Sequence, residues 1–171
     1  MISKKIQKSL NDQLNYEMFS AYVYMAMQAH LDSIGLQGMA NWLKIQTHEE
    51  MIHAMMIFNY LNEAGGRVIL KTIDAPPEKW DTPLAAFEHA YEHECGVTKR
   101  IHKIVDQAQA ESDHATNNFL QWFVAEQVEE EASVDQIIQR LKLVADTPGG
   151  LFLIDQELAQ RIFTMPSNFT L

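Results

Sequence analysis

Apolar side chains recur at alternating spacings of three and four along most of this chain, the pattern of helices that each turn one face to a core. In a first stretch, about residues 5 to 33, Leu10, Leu14, Ala21, Tyr24 and Leu31 fall on one face. Leu43, Ile57, Tyr60 and Ala64 do the same in a second, about 37 to 64. A third, about 83 to 111, aligns Leu84, Phe87, Tyr91, Thr98, Ile101, Val105 and Ala108, with Thr82 as its cap and Pro83 in its first turn. The fourth, about 114 to 145, aligns Leu120, Phe123, Val134, Ile137, Leu141 and Val144. Helix-breaking residues fall between or at the edges of these stretches: Gly35 and Gly38, Gly65-Gly66, Pro76-Pro77, Pro83 and Pro148-Gly149-Gly150. The pattern predicts an all-α chain built on a four-helix bundle.

Residues 66 to 82, with Val68, Ile69, Leu70 and Pro76-Pro77, are too irregular for a helix and too many for a tight turn. Extended, they reach about 50 Å, and a helix of about 28 residues is roughly 42 Å long. The link can therefore run the length of the bundle as one long crossover and start the third helix parallel to the second. After Gly149-Gly150 a short fifth helix, about 151 to 163, is predicted. Leu151, Phe152, Leu153, Ile154, Leu158, Ile162 and Phe163 make it apolar nearly all round. Such a helix has to be covered. Cover could come from its own bundle or from other copies, and a closed homo-oligomer is the favoured reading, with the apolar 66 to 82 link as an edge for a twofold contact.

At 171 residues and 47% hydrophobic content, residues 1–171 are expected to form a single domain. No run of about 18 apolar residues exists, and the first ten residues lack the apolar core of a secretory signal. A soluble, cytoplasmic protein with no membrane partner is expected. Cys95 is the only cysteine, which excludes an internal disulfide and a four-cysteine metal centre; it reads as a buried helical thiol. A net charge of −10 argues against nucleic acid as a partner and is compatible with cation handling.

The seams carry more than apolar residues. Glu17 falls in line between Leu14 and Ala21, Glu50 and His53 between Leu43 and Ile57, Glu94 between Tyr91 and Thr98, and Gln127 and Glu130 between Phe123 and Val134. Glu50 follows Glu17 by 33 residues and Gln127 follows Glu94 by the same 33, so one pattern is written twice. A lone carboxylate on an apolar seam is costly to bury. Any single inward Glu could be a protonated core residue, but six polar residues in matched register call for counter-charge. No lysine or arginine stands on these stretches, and two divalent cations would neutralise the four carboxylates. Oxygen-rich ligation with one imidazole suits iron, manganese or zinc. Other features read more plainly. Met18, Met25, Met51 and Met55 look like core filler, Trp122 like packing, and His89 with His93 like a solvated pair rather than a chelate.

Over essentially its whole length the chain resembles the ferritin family, and most closely the non-haem bacterial ferritins. One long crossover is the ferritin-like arrangement, and Glu126-Gln127-Val128-Glu129-Glu130 looks like the fourth helix of ferritins proper. Bacterioferritins and rubrerythrins would carry a second Glu-x-x-His where this chain has Gln127-x-x-Glu130. The resemblance implies a first iron site of Glu17, Glu50 and His53 and a second of Glu94 and Glu130, with Glu50 bridging and Gln127 hydrogen-bonding nearby. Tyr24 stands where ferritins have a tyrosine near the oxidation centre, although core packing accounts for it equally well. The resemblance also implies a third iron held by Glu49, Glu126, Glu129 and Glu130, the alternative being a solvated acidic cluster. The implied activity is that of a ferroxidase, with Fe(II) as substrate, O2 or H2O2 as acceptor, and ferric mineral stored in a hollow homo-oligomer of 24 subunits. Met51 matches the haem methionine of bacterioferritins, but the Gln127-x-x-Glu130 motif leads to no haem being expected. Two other functions compete: a di-iron peroxidase or oxygenase, which needs a substrate pocket or electron-donor domain, and a metal-free helical interaction module, which leaves the inward carboxylates unexplained.

Overall fold

The computed structural model describes residues 2–166. It contains α1 (Lys4–Ser33), α2 (Gln37–Glu63), α3 (Pro83–Ala110), α4 (His114–Leu143) and α5 (Gly150–Leu158), and no strand among the described residues. Side-chain oxygens start three of the long helices. Ser3 accepts from the Ile6 amide at 3.1 Å, Thr82 from Ala85 at 3.0 Å and Asp113 from Thr116 at 3.0 Å, each satisfying a donor that the first turn leaves free. At the end of α2, Gly65 takes a φ of 74° and the Gly66 amide donates back to the Leu61 carbonyl at 2.8 Å, a closure that favours glycine. No helix is long and apolar enough to cross a membrane among the described residues.

α2 is begun differently. Leu36 offers no side-chain cap, and the Met39 amide donates instead to Asp155 Oδ1 of α5 at 2.8 Å. A cap supplied from the far end of the sequence demands close approach. A Cβ at Gly38 would lie 1.6 Å from the Asp155 carbonyl oxygen.

α1 packs along α2 and α3 along α4, with α1 also against α3. The crossover lies on α1 as an extended strap. The Asn11 amide donates to the Arg67 carbonyl at 2.9 Å and its oxygen accepts from the Ile69 amide at 2.6 Å. Asn15 repeats this one turn on, donating to Ile69 at 2.8 Å and accepting from Lys71 at 2.6 Å. Four helical residues rise about 6 Å and two extended residues about 6.6 Å, so the two repeats match closely enough for helix side chains to act as a sheet edge. At the other end of α1, Trp80 packs 5.5 Å from the His30 ring and donates to His89 Nδ1 at 2.9 Å. The strap thus travels the length of α1, and α3 starts parallel to α2, as the link length predicts.

The apolar core is in two parts. Met27, Leu31, Leu43, Phe87, Val134 and Leu141 belong to one cluster; Leu10, Leu14, Ile57, Ile101, Leu120 and Phe123 belong to the other. Between them along the helices lies a polar layer.

Three expectations need correction. α5 ends at Leu158 rather than near 163, because Asn41 on α2 draws the chain away by donating to the carbonyls of Leu158, Ala159 and Arg161 at 3.3, 3.4 and 3.0 Å. Met25, Met51 and Met55 are exposed, with Met25 at 50%, so these three are not core filler, whereas Met18 is partly buried and packs against an apolar cluster. Met18, Met25 and Met51 each follow a seam residue and are therefore turned about 100° from it. Cys95, one residue past Glu94, is half-buried for the same reason.

Ile154 and Leu158 bury α5 against its own bundle, while Leu151, Phe152 and Leu153 remain exposed. Replacing Asp155 by Ala should cost about 1–2 kcal/mol through loss of the α2 cap. Gly38→Ala should cost more, about 3 kcal/mol, because backbone must move. Urea unfolding of the full-length protein measures both, and a Gly38→Ala midpoint equal to that of wild type would contradict this docking.

Candidate metal centre

The polar layer is made by seam residues of all four long helices. Glu17 of α1 is 0% exposed, Glu50 and His53 of α2 are 1% and 2%, and Glu94 of α3 is 0%. Gln127 and Glu130 of α4 are buried with them. Helical periodicity places them: each falls on the seam that apolar residues such as Leu14, Ile57, Tyr91, Phe123 and Val134 continue along the same helices.

Glu17, Glu50 and His53 each bring a ligand atom into a group whose members all lie within 4.8 Å of one another. His53, Glu126 and Glu130 form a second such group, so the imidazole is common to both. The Glu94 carboxylate belongs to neither triplet. It accepts from the Tyr24 hydroxyl and, at 3.1 Å, from Gln127 Nε2. Of the residues read as an outer cluster, Glu126 joins the second triplet, Glu129 is exposed, and Glu49 is ion-paired with Arg161 at 2.7 Å.

Glutamines hold the carboxylates from behind. Gln13 Nε2 donates to Glu17 Oε1 at 2.8 Å, and Gln46 Nε2 to Glu130 Oε2 at 2.7 Å. Neither glutamine was marked out by charge, yet a signal existed: Gln13 precedes Glu17 by one turn as Gln46 precedes Glu50, at the same repeat distance. Two carboxylate oxygens, Glu17 Oε2 and Glu50 Oε2, are buried with no partner, as is the Gln13 amide oxygen beside them. Orphaned carboxylate oxygens beside a neutral imidazole nitrogen fit a divalent cation.

The electrostatics agree. Burial lifts the Glu17 carboxyl from 4.5 to about 7, against the opposing amide of Gln13. Burial, then the charges of Glu94 and Glu17, push Glu50 well above the usual range, and burial with the charges of Glu94 and Glu49 does the same to Glu130. Burial also raises Glu94, although hydrogen bonds from Tyr24 and Gln127 resist it. His53 is lowered by burial to about 4, so its ring is neutral and keeps a lone pair for a metal. It lies edge-on to Trp122 and Phe123 at 5.4 and 5.8 Å, which gives Trp122 its packing role. Tyr24 is held protonated, its pKa raised by burial and by Glu94.

His89 and His93 are not a solvated pair. His93 is buried against Ser20 Oγ at 2.7 Å and stacks on Tyr16 at 5.2 Å, with its pKa lowered to about 4 by burial and by nearby His89 and Arg100. His89 accepts from Trp80.

Glu17 titrates near 7 in the folded protein and at 4.5 when free, so the folded state holds an extra proton between those values. The stability this gives is complete below pH 4.5 and is lost as pH rises through about 7. Metal-free Glu17→Gln, which does not ionise, should therefore gain on wild type as pH rises, by about 3 kcal/mol above the folded value. Thermal unfolding from pH 4.5 to 8 follows the difference, and a difference that does not change with pH would count against it.

Residues 7–144 match the family described as Ferritin-like domain. The chain is 44% identical over 161 residues to a bacterial non-heme ferritin of Bacteroides fragilis, covering 94% of this chain and 100% of that protein. To a bacterial non-heme ferritin of Staphylococcus haemolyticus it is 39% identical, covering 95% and 98%. Among solved structures, an open pore ferritin from Archaeoglobus fulgidus shares 52% identity with a TM-score of 0.93, covering 95% of this chain and all of that one. A closed form of that ferritin, engineered by mutagenesis, gives a TM-score of 0.94 at 52% identity over 96% of this chain.

Proposed function

Because the chain belongs to the ferritin family, we propose that it is an iron-storage protein that oxidises Fe(II) inside its bundle and keeps the ferric product within a closed shell of its own copies. The observation that carries this reading is the pair of buried, unpartnered oxygens on Glu17 and Glu50 beside the neutral His53 ring.

In this reading Glu17, Glu50 and His53 take one Fe(II), and Glu94 with Glu130 take the second, Glu50 lying between them. Carboxyls that burial keeps protonated give up their protons as the cation arrives, so uptake releases acid and weakens as pH falls. Gln13, Gln46 and Gln127 fix the carboxylates, and Tyr24 orients Glu94 through its hydroxyl. Each Fe(II) gives up one electron. A pair can reduce O2 with two protons to H2O2, or H2O2 with two protons to two waters, without passing through superoxide. Glu126 and Glu130, with Glu49 and Glu129, then hold a third iron on its way to the interior.

Residues 1–171 act in this reading as one domain, assembled as 24 copies in the cytoplasm. Exposed Tyr22, Met25, Met55, Ile69 and Leu70 and the outer side of α5 supply apolar faces that such an assembly would cover. Met51 is exposed on α2, and the reading requires no haem there.

Glu17→Ala, Glu50→Ala and His53→Ala should slow aerobic Fe(II) oxidation by at least the roughly 10- to 100-fold that losing an outer partner costs a metal site. Helical content by circular dichroism should be retained. Stopped-flow absorbance is the measurement, and wild-type rates in any of the three would refute the assignment. Glu126→Ala should still oxidise a first pair of Fe(II) while changing the oxygen consumed per iron; unchanged stoichiometry would reduce the outer cluster to surface charge. Light scattering tests the shell, which a monomer or simple dimer at neutral pH would exclude.

A further inference from the structure

Past the end of α5 the chain does not wander off. Residues 159–163 lie down on α2 through a succession of contacts. Asn41 holds the Ala159 and Arg161 carbonyls, the Arg161 guanidinium sits 4.5 Å from the Trp42 ring centroid, and the Phe163 ring meets His48 edge-on at 5.7 Å. The contacts lead toward the polar layer, and Arg161 is the residue that reaches it.

One guanidinium engages one outer carboxylate directly and a second through an intervening amide. Arg161 Nη2 donates to Glu49 Oε2 at 2.7 Å, and Nη1 donates to Gln46 Oε1 at 2.5 Å. Gln46 in turn donates to Glu130 Oε2 at 2.7 Å, so the positive charge is relayed onto a residue of the second triplet. The side chains of Arg161 and Glu49 are 24% and 18% exposed, which shields their pairing from the screening that weakens surface ion pairs. An arginine cannot leave such a site by losing its proton. It leaves only by moving, and the backbone that carries it is a non-helical segment fixed by a few side-chain contacts.

We infer that Arg161 is a resident counter-cation which competes with iron for the outer carboxylates, so that metal at Glu49, Glu126 and Glu130 and docking of residues 159–163 on α2 oppose each other. The inference rests on the proposed outer metal position and adds to it a device that keeps binding there weak. Iron held weakly moves on. A divalent ion carries twice the charge of the guanidinium and can displace it, and the released segment re-docks when the ion departs. By linkage, whatever Arg161 takes from metal affinity, bound metal takes from docking of the segment.

Zn(II), which does not change oxidation state, separates binding from oxidation. Calorimetric titration of metal-free, full-length assemblies should show an outer zinc, recognised by its loss in Glu126→Gln, that binds roughly tenfold more tightly in Arg161→Gln than in wild type. Hydrogen exchange of residues 159–163 should rise in wild type when zinc is added. In Arg161→Gln it should be high beforehand and unmoved by zinc. An ordinary structural ion pair would loosen the segment in the variant without tightening zinc. Equal outer-zinc affinity in the two proteins, or exchange in wild type that ignores zinc, overturns the inference while leaving the outer site standing. If neither protein binds an outer zinc although the inner positions fill, the inference and the outer site fall together.

Discussion

Removing four carboxylates from water in the middle of a helical bundle is the constraint on which the rest of this structure depends. Their ionised forms are so disfavoured there that burial, with the Glu94 charge adding to it, carries Glu17 to about 7 against the hydrogen bonds that oppose the shift. A bundle tolerates this only if the layer is narrow and its polar atoms are held from behind. Both conditions are met. Apolar clusters close the layer above and below, and Gln13, Gln46, Gln127 and Tyr24 each donate to a carboxylate. The metal-free state stays under stress even so, because Glu17 Oε2 and Glu50 Oε2 find no donor beyond a proton shared between these two carboxyls. Affinity for a cation is the other face of that stress, since a bound ion supplies the missing partner.

The layer was legible in the sequence because its signal is local and repeated. Glu17, Glu50, His53, Glu94, Gln127 and Glu130 stand in register with the apolar residues of their seams, and helical periodicity converts register directly into direction. The crossover was legible through its length alone. What escaped was whatever depends on a neighbour far along the chain. Asp155 has no local signal that marks it as a cap, and only the fold brings it to the Met39 amide. His93 looked solvated beside His89 because nothing local announces Ser20 and Tyr16 across the interface. Arg161 falls within the reach expected for the fifth helix but beyond its actual end at Leu158, so its link to Glu49 could be seen only in three dimensions. The methionines misled for a different reason: a hydrophobic residue one place from the seam is compatible with either face until the crossing of neighbouring helices is known.

The strap shows how an irregular segment can be specified without secondary structure of its own. Asn11 and Asn15 present amide edges at the helix repeat, and alternate residues of the extended chain meet them at nearly the same spacing. Both asparagines lie one turn apart on α1, a helix that the core holds rigid from its other side. The direction of α3, and with it the placement of Glu94 opposite Glu17 and Glu50, follows from where the strap delivers the chain. The geometry of the carboxylate layer is in this sense set partly by two uncharged amides well away from it.

The cap that Asp155 gives α2 also orders events in time. A ribosome releases the first turn of α2 more than a hundred residues before the carboxylate that completes it. Until Asp155 arrives and α5 slides in over Gly38, the helix carrying Glu50 and His53 begins with an amide that has only water to bind. A chain not yet grown as far as Asp155 therefore holds the start of α2 in a frayed form, and the arrival of α5 draws it tight. α5 acts as a latch, and the polar layer takes its final geometry only after that latch has closed over Gly38.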